Sequence, residues 1–127
     1  MNWTNLFLVA VGGAIGSVAR WGTAVVVIDR FGIQVWPWPT FAVNLVGSFL
    51  IGLIFALAAG GTIGPTARLF LAVGIMGGFT TFSSFSLELA TNIEAGRGGI
   101  ALAYALASVV IGLLATFGGI ALGRAFR

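Results

Sequence analysis

The sequence predicts an all-α membrane protein with four transmembrane helices in each protomer. Two features of the composition support this: of 127 residues, 59% are hydrophobic and only 7% are charged. Roughly a quarter of the residues in a soluble domain are charged, so this chain lacks the polar residues needed to cover a water-facing surface. The third observation is that four separate segments each approach the roughly 20 apolar residues that cross the hydrocarbon core of a bilayer.

The four spans follow one another along the chain. The first covers residues 6–28; the N-terminus lacks the basic start and cleavage site of a signal peptide, so we assign it to this span. The second covers residues 40–59, after the turn-forming stretch WPWPT. The third runs from just after Pro65 to residue 92, and the fourth covers residues 99–122. The connections are rich in glycine, proline and charged residues, which favour turns.

The composition also excludes several classes of function. The chain has no cysteine and no histidine, which removes disulfides, thiolate metal sites, the commonest metal ligand and the usual general base. Its acids are only Asp29, Glu88 and Glu94, and its six arginines form no patch for nucleic acid. We therefore expect no nucleic-acid partner. We also expect no enzymatic activity, because no nucleophile–base pair can be assembled.

The arginines are balanced between the two sides of the membrane. An even number of spans puts both termini on one side, and the arginines then divide as Arg68, Arg124 and Arg127 against Arg20, Arg30 and Arg97. Because an asymmetry of Lys and Arg normally orients a membrane protein, the balance has two interpretations. Either another feature sets a weak topology, or the protein inserts in both orientations.

Small residues are spaced for close helix packing. GxxxG spacings occur at Gly12 and Gly16, at Gly74 and Gly78, and at Gly119 and Gly123. Such spacings let helix backbones approach closely in lipid, either within one protomer or between two. Since four short helices enclose little space, a polar path through the protein favours a second copy, most simply in a two-fold homodimer.

Two polar side chains at membrane depth have more than one interpretation. Such groups are costly and usually face a partner or a water-filled cavity. Asn44 lies early in the second span beside Gly47 and Ser48, where an amide suits either a pore lining or a bond that locks helices. Arg20 in the first span either extends to the membrane interface or gives a positive potential to a vestibule.

The fourth span carries a row of hydroxyl groups. Tyr104, Ser108 and Thr116 are four and eight residues apart, so they share one slanting helical face. Gly112 falls between them on the same face. Each hydroxyl either bonds a carbonyl of its own helix or joins two helices, or together they form a polar track.

Residues 74–88 read GIMGGFTTFSSFSLE and interrupt the apolar third span. Gly74, Gly77 and Gly78 lie close to the middle of this span, where we predict that the helix is broken. Broken helices persist at membrane depth only where they are buried or line a site. The carbonyls freed by a break suit an alkali cation, and freed amides suit an anion.

Phe82 and Phe85 follow the predicted break on one face of the resumed helix. Because a phenyl ring has a positive edge, two such edges with hydroxyls between them would hold a small anion without a fixed positive charge. An ion must bind well enough to enter a pore and weakly enough to leave it. The alternative is ordinary aromatic packing in a helix bundle, since a phenylalanine stripe is usually core.

The stretch GGFTTFSSFSLE resembles the signature of the Fluc (CrcB-type) fluoride channels. The segments VNLVG at residues 43–47, GGAIGSVARW at residues 12–21 and WPWPT at residues 36–40 resemble the same family, and the likeness covers nearly the whole chain. It implies that residues 1–127 form one channel protomer that passively exports fluoride across the bacterial inner membrane. It further implies an antiparallel, dual-topology homodimer with two pores.

The resemblance also implies roles for individual residues. The backbone carbonyls of Gly77 and Thr80, from both subunits, would hold a structural sodium ion at the helix break, and Arg20 would face a vestibule. Gly112 stands where the family commonly has a hydroxyl, which interrupts the track unless water fills the gap. Ser84 stands where threonine is common, and Glu88 is in register with the family's acid. The fluoride pathway would comprise Asn44, Phe82, Ser83, Ser84, Phe85, Tyr104, Ser108 and Thr116.

Two other classes of function compete with a fluoride channel. A small proton-coupled multidrug exporter is also built from four-span protomers, but it needs a titratable carboxylate inside the membrane. The first span carries none, and Glu88 lies toward the end of its helix. A structural subunit without transport would leave the helix break and the hydroxyl track without a purpose.

Overall fold

The structure, a computed structural model, describes residues 2–126 and confirms the all-α membrane fold. Its four helical spans, each long and apolar enough to cross a membrane, are α1 (Trp3–Phe31), α2 (Trp38–Ala59), a composite third span (Pro65–Glu94) and α6 (Gly98–Arg124). Each end lies within a few residues of its predicted position. The protein is therefore a multi-pass membrane protein. Arg127, which entered the arginine balance, lies outside the described residues.

Local sequence signals set the two ends of α1. The side chain of Asn2 accepts a hydrogen bond from the backbone N–H of Thr4 at 2.9 Å, which satisfies one of the free donors at a helix N-terminus. At the other end Gly32 adopts a φ of 72°, and its N–H donates to the carbonyl of Ile28 at 2.8 Å. Glycine reaches this left-handed region without the steric cost that a Cβ imposes.

The third span consists of four helical pieces and one break. The pieces are α3 (Pro65–Arg68), a π-helical segment (Leu69–Met76), α4 (Gly77–Phe79) and α5 (Phe82–Glu94). The break was predicted at Gly74, Gly77 and Gly78, and that position is wrong. These glycines are helical, whereas Thr80 and Thr81 are extended, with ψ of 159° and φ of −150° respectively.

Two of these glycines, Gly74 and Gly78, instead pack against α1, whereas a Cβ on Gly77 would meet nothing within 4 Å. A Cβ on Gly16 would overlap the carbonyl oxygen of Ile75, and one on Gly12 would lie 2.9 Å from the Cα of Gly74. Gly78 is blocked in the same way by backbone of α1. The backbones of the two helices are thus in direct contact, which explains the glycines without a break in the chain.

Helices α2 and α6 also pack through glycines that let their backbones approach closely. α2 lies along α6, and a Cβ on Gly52 would overlap the carbonyl of Thr116. A Cβ on Gly119 would overlap the carbonyl of Phe49. All three GxxxG spacings therefore serve packing inside one protomer.

Candidate functional site

The helix break is held together by one amide side chain from α2. The N–H of Thr81 donates to Oδ1 of Asn44 at 2.9 Å, and Nδ2 of Asn44 donates to the carbonyl of Thr81 at 3.0 Å. Both backbone groups of Thr81 are thus satisfied by one residue 37 positions away. Asn44 locks the helices, which is one of the two roles that the sequence left open.

At the break, two backbone N–H groups bond to side chains instead of to the carbonyls that they would pair with in a continuous helix. In an α-helix the carbonyl of residue i accepts from the N–H of residue i+4, so Gly77 would pair with Thr81, and Thr80 with Ser84. The N–H of Thr81 donates to Asn44 instead, and the N–H of Ser84 donates to Oγ1 of Thr81 at 3.2 Å. The carbonyls of Gly77 and Thr80 have therefore lost their α-helical donors.

A cavity of about 440 Å³, called here the central cavity, opens beside the break. Its lining consists of Asn44, Gly47, Ser48, Ile51, Ala72, Met76, Gly77, Thr80, Thr81, Phe82, Phe85, Ser108 and Val109. Of the predicted pathway residues, it brings together Asn44, Phe82, Phe85 and Ser108. The Oγ of Ser108 is buried and has no hydrogen-bond partner among the described residues, which is rare for a buried polar atom.

The two phenylalanines form a pair on this cavity. Their ring centroids are 5.8 Å apart at an angle of 46°. Phe85 is half-buried, whereas Phe82 is 78% exposed on the surface of the protomer. One side of the central cavity is therefore bounded by a ring that contacts Phe85 but is largely exposed on the surface of the protomer.

The remaining predicted residues lie outside the lining of the central cavity. Oγ1 of Thr116 donates to the carbonyl of Gly112 in its own helix at 3.1 Å. Arg20 is half-buried and makes no hydrogen bond or ion pair with residues 2–126. Ser83 and Ser84 lie close to Oγ1 of Thr81, with oxygen–oxygen distances of 3.3 and 3.2 Å. The pathway roles of Thr116, Ser83 and Ser84 and the vestibule role of Arg20 stay predictions.

A second α2 residue lies where the row of hydroxyls on α6 is interrupted. Oγ of Ser48 would lie 3.5 Å from a Cβ placed on Gly112. A hydroxyl from a neighbouring helix is therefore present where α6 itself has none. Sequence spacing along α6 alone could not reveal it, because Ser48 belongs to another span.

Tyr104 lies beside the central cavity rather than in its lining. It is fully buried, and its hydroxyl donates to Oε2 of Glu88 at 2.7 Å. Oγ1 of Thr40 donates to Oε1 of Glu88 at 2.5 Å. The carboxylate whose surroundings the sequence left open thus accepts one hydroxyl donor at each oxygen.

Thr81 is a site residue that sequence reasoning missed. Its hydroxyl caps α5 by accepting from Ser84, and its backbone binds Asn44. A threonine directly before a helical segment is a recognised N-cap signal. The signal was present in TTFSS, but the glycines before it drew the predicted break to the wrong place.

Comparison with known proteins identifies the family of this chain. Residues 7–120 match the family described as "CrcB-like protein, Camphor Resistance (CrcB)". The chain belongs to the CrcB family. This membership confirms the resemblance that the third-span motif indicated.

Curated relatives match this CrcB-family chain over nearly its whole length. A protein of Thermus thermophilus is 50% identical over 98% of both chains. One from Agrobacterium fabrum is 50% identical, covering 94% of this chain and 96% of its own. Both are named fluoride-specific ion channel FluC. The relatives are ion channels, so the expectation that this chain is not an enzyme is confirmed.

Proposed function

We propose that this protein is a fluoride-selective channel through which fluoride leaves the cell passively, so that cytoplasmic fluoride falls. The observation that supports this most directly is the central cavity beside the helix break. Its lining brings together Phe82, Phe85, Asn44 and Ser108, and the hydroxyl of Ser108 has no hydrogen-bond partner among residues 2–126. The relatives named as fluoride-specific channels support the same conclusion. We place the protein in the bacterial inner membrane.

The lining suits a small anion that must move quickly. Among residues 2–126, no arginine and no carboxylate lines the central cavity, so no fixed charge from them would hold or repel the ion strongly. Ring edges carry partial positive charge, and a hydroxyl donates one hydrogen bond. Such weak, multiple contacts replace water around the ion and still let it leave. The absence of a carboxylate from this lining also disfavours a proton-coupled exporter.

A second, antiparallel copy would complete the pathway. Phe82 is 78% exposed, and Gly77 is exposed at the same cavity. In a two-fold dimer each protomer presents the same surface to the other, so one contact would close two equivalent cavities and give two pores. The balanced arginines favour insertion in both orientations, which an antiparallel dimer requires.

The residues at the break fit a structural sodium ion. Gly77 and Thr80 have lost the helical donors of their carbonyls, and both line the central cavity. Carbonyl oxygens are hard ligands that suit a hard cation. Sodium would neutralise these carbonyl dipoles where two protomers meet. Replacing sodium with a large organic cation should therefore impair flux or dimer assembly, and an unchanged protein would contradict this assignment.

Fluoride efflux from liposomes tests the channel. Purified protein is reconstituted in sodium-containing vesicles loaded with fluoride or chloride, and each ion is followed with a selective electrode. Fast fluoride release without chloride release is expected. No release from vesicles that hold an intact dimer would overturn the proposal and redirect attention to a proton-dependent exporter.

Single substitutions then assign the pathway. Phe82→Ile and Phe85→Ile should each slow fluoride efflux while the dimer stays intact, because an aliphatic side chain has no positive edge. Phe7→Ile is the control, since Phe7 is exposed on α1 and lies outside the lining of the central cavity. Wild-type rates in both Phe82→Ile and Phe85→Ile would contradict the assignment of the two rings.

A further inference from the structure

A second cavity, of about 270 Å³, lies under the connection between α1 and α2. We call it the loop cavity. Apolar residues of the connection form much of its wall, and its polar lining comprises Gln34, Trp36, Glu88, Thr91, Asn92 and Arg97. The proposed pathway through the central cavity uses none of these polar groups.

A row of aromatic rings joins the two cavities. The centroid distances are 5.8 Å from Phe82 to Phe85, 5.1 Å from Phe85 to Tyr104 and 5.5 Å from Tyr104 to Trp36. Phe82 and Phe85 line the central cavity, whereas Trp36 lines the loop cavity. The last two contacts are edge-to-face, with interplanar angles of 62° and 72°. The walls of the two cavities are therefore connected by ring contacts through the fully buried Tyr104.

Trp36, which lines the loop cavity, carries an unused donor. Its Nε1 is buried and has no hydrogen-bond partner among the described residues. An indole N–H can only donate, and a buried donor without an acceptor costs about 1–3 kcal/mol. A bound acceptor in the cavity would remove this cost.

Arg97 brings a fixed positive charge to the same cavity. Its Nε donates to Oδ1 of Asn92 at 2.8 Å, and its backbone N–H donates to the carbonyl of Asn92 at 2.8 Å. Asn92 is buried and is itself bonded through Nδ2 to the carbonyl of Glu88 at 3.0 Å. No carboxylate of residues 2–126 forms an ion pair with Arg97, so its charge remains available to a ligand.

Glu88, the acid that lines the loop cavity, already accepts hydrogen bonds within the protein. Both oxygens of Glu88 accept hydroxyl donors, from Thr40 and from Tyr104. These donors direct positive dipoles at the carboxylate and reduce its repulsion of a nearby anion. A donor without an acceptor and a cation without a counter-ion then share one cavity at the end of the aromatic row.

We propose that the loop cavity is an anion-binding mouth of the channel, in which the Trp36 indole N–H and the Arg97 guanidinium hold fluoride at the Trp36 end of the aromatic row. This assignment rests on the proposed function. Fluoride accepts the indole hydrogen bond and is attracted by the arginine, which raises its local concentration at the end of the pathway. Such focusing raises the rate at which a charged ligand associates.

The test measures initial fluoride efflux from liposomes at low fluoride, where arrival at the mouth limits the rate. Arg97→Gln should slow efflux roughly 3- to 10-fold, and Arg97→Lys, which keeps the charge, should stay near the wild-type rate. Trp36→Phe keeps an aromatic ring without the donor and should slow efflux roughly fivefold. Arg30→Gln removes the same charge on the same side of the membrane but outside the lining, and it should match wild type.

Ionic strength separates an electrostatic mouth from a structural clamp. Between about 0.01 M and about 1 M salt the Debye length falls from about 30 Å to about 3 Å, so the loss of efflux rate in Arg97→Gln should become smaller.

Wild-type efflux rates in Arg97→Gln or in Trp36→Phe would contradict the proposal that the loop cavity is a mouth. If Arg97→Lys is as slow as Arg97→Gln at every salt concentration, Arg97 acts through its hydrogen bond to Asn92 and not through its charge, which contradicts the proposal. An equal deficit in Arg30→Gln would assign the effect to general surface charge. Wild-type protein that releases no fluoride would instead refute the channel itself.

Discussion

The two halves of the third span are held in place by different forces. Before the break, the π-helical segment and α4 contact α1 through backbone, and glycines allow the approach. After the break, α5 is fixed by side-chain hydrogen bonds from Asn44, Thr40 and Tyr104. The first half therefore depends on the absence of side chains, and the second half on particular polar ones.

This difference explains why the helix breaks at Thr80 and Thr81 rather than at the glycines before them. Gly74 and Gly78 are helical where their backbone packs closely against α1, even though glycine alone is a poor helix former. The chain leaves the helix at Thr80 and Thr81, where the side chain of Asn44 satisfies both backbone groups of Thr81. In this protein, polar partners decide where the helix opens, and glycine decides how closely it packs.

Asn44→Ala should have the largest effect on the second half. It leaves both the N–H and the carbonyl of Thr81 without their partner, and each unsatisfied buried group costs about 1–3 kcal/mol. We expect a loss of about 3 kcal/mol in the free energy of unfolding, together with lost fluoride efflux. Thermal unfolding in detergent, followed by circular dichroism, measures the change.

Ser48→Ala is the matched control for the stability of Asn44→Ala. Ser48 lies on the same helix and lines the same cavity, but its side chain has no hydrogen-bond partner among residues 2–126. Its unfolding should resemble that of wild type. Equal destabilisation by the two substitutions would show that the Asn44–Thr81 pair does not hold the break.

Gly16→Ala should have an intermediate effect, on the first half. The new Cβ overlaps the carbonyl of Ile75 in the π-helical segment, and overpacking of this kind costs about 2 kcal/mol. Gly13→Ala is the control three residues away, because a Cβ there meets nothing within 4 Å. It should be neutral or slightly stabilising in a helix. If both variants unfold alike, direct backbone contact is not what holds this half.

Thr81→Ala should have the smallest effect of the three. It removes the hydroxyl that caps α5 but leaves the backbone of Thr81 bonded to Asn44. The loss of an N-cap of this kind costs about 1 kcal/mol. A loss as large as that of Asn44→Ala would mean that the cap, rather than the amide, holds the break. Thermal unfolding of both variants in the same detergent makes this comparison.

The sequence predicted the four spans and four pathway residues that line the central cavity, because those depend on local signals. Apolar runs of sufficient length identify spans, and the FTTFSSF pattern indicated the two rings. Ser108 was found because its spacing on α6 is regular. Asn44 was singled out because an amide at membrane depth is costly, although both of its roles had to stay open.

The remaining features depend on contacts between spans, which sequence spacing does not reveal. The position of the break depends on Asn44 reaching Thr81 across 37 residues. The surroundings of Glu88 depend on Thr40 in α2 and Tyr104 in α6. The glycines misled the prediction because the same residue serves both flexibility and close packing, and only the neighbouring helix decides between them.

The pairing of Asn44 with Thr81 also constrains how the protein is assembled during synthesis. The backbone groups of Thr81 cannot remain unsatisfied in hydrocarbon, where each costs several kcal/mol. Until α2 lies beside the third span, we therefore expect that span to enter the bilayer as one continuous helix. The break would then form only when the two spans meet, so the newly made chain acquires its functional interior after insertion rather than during it.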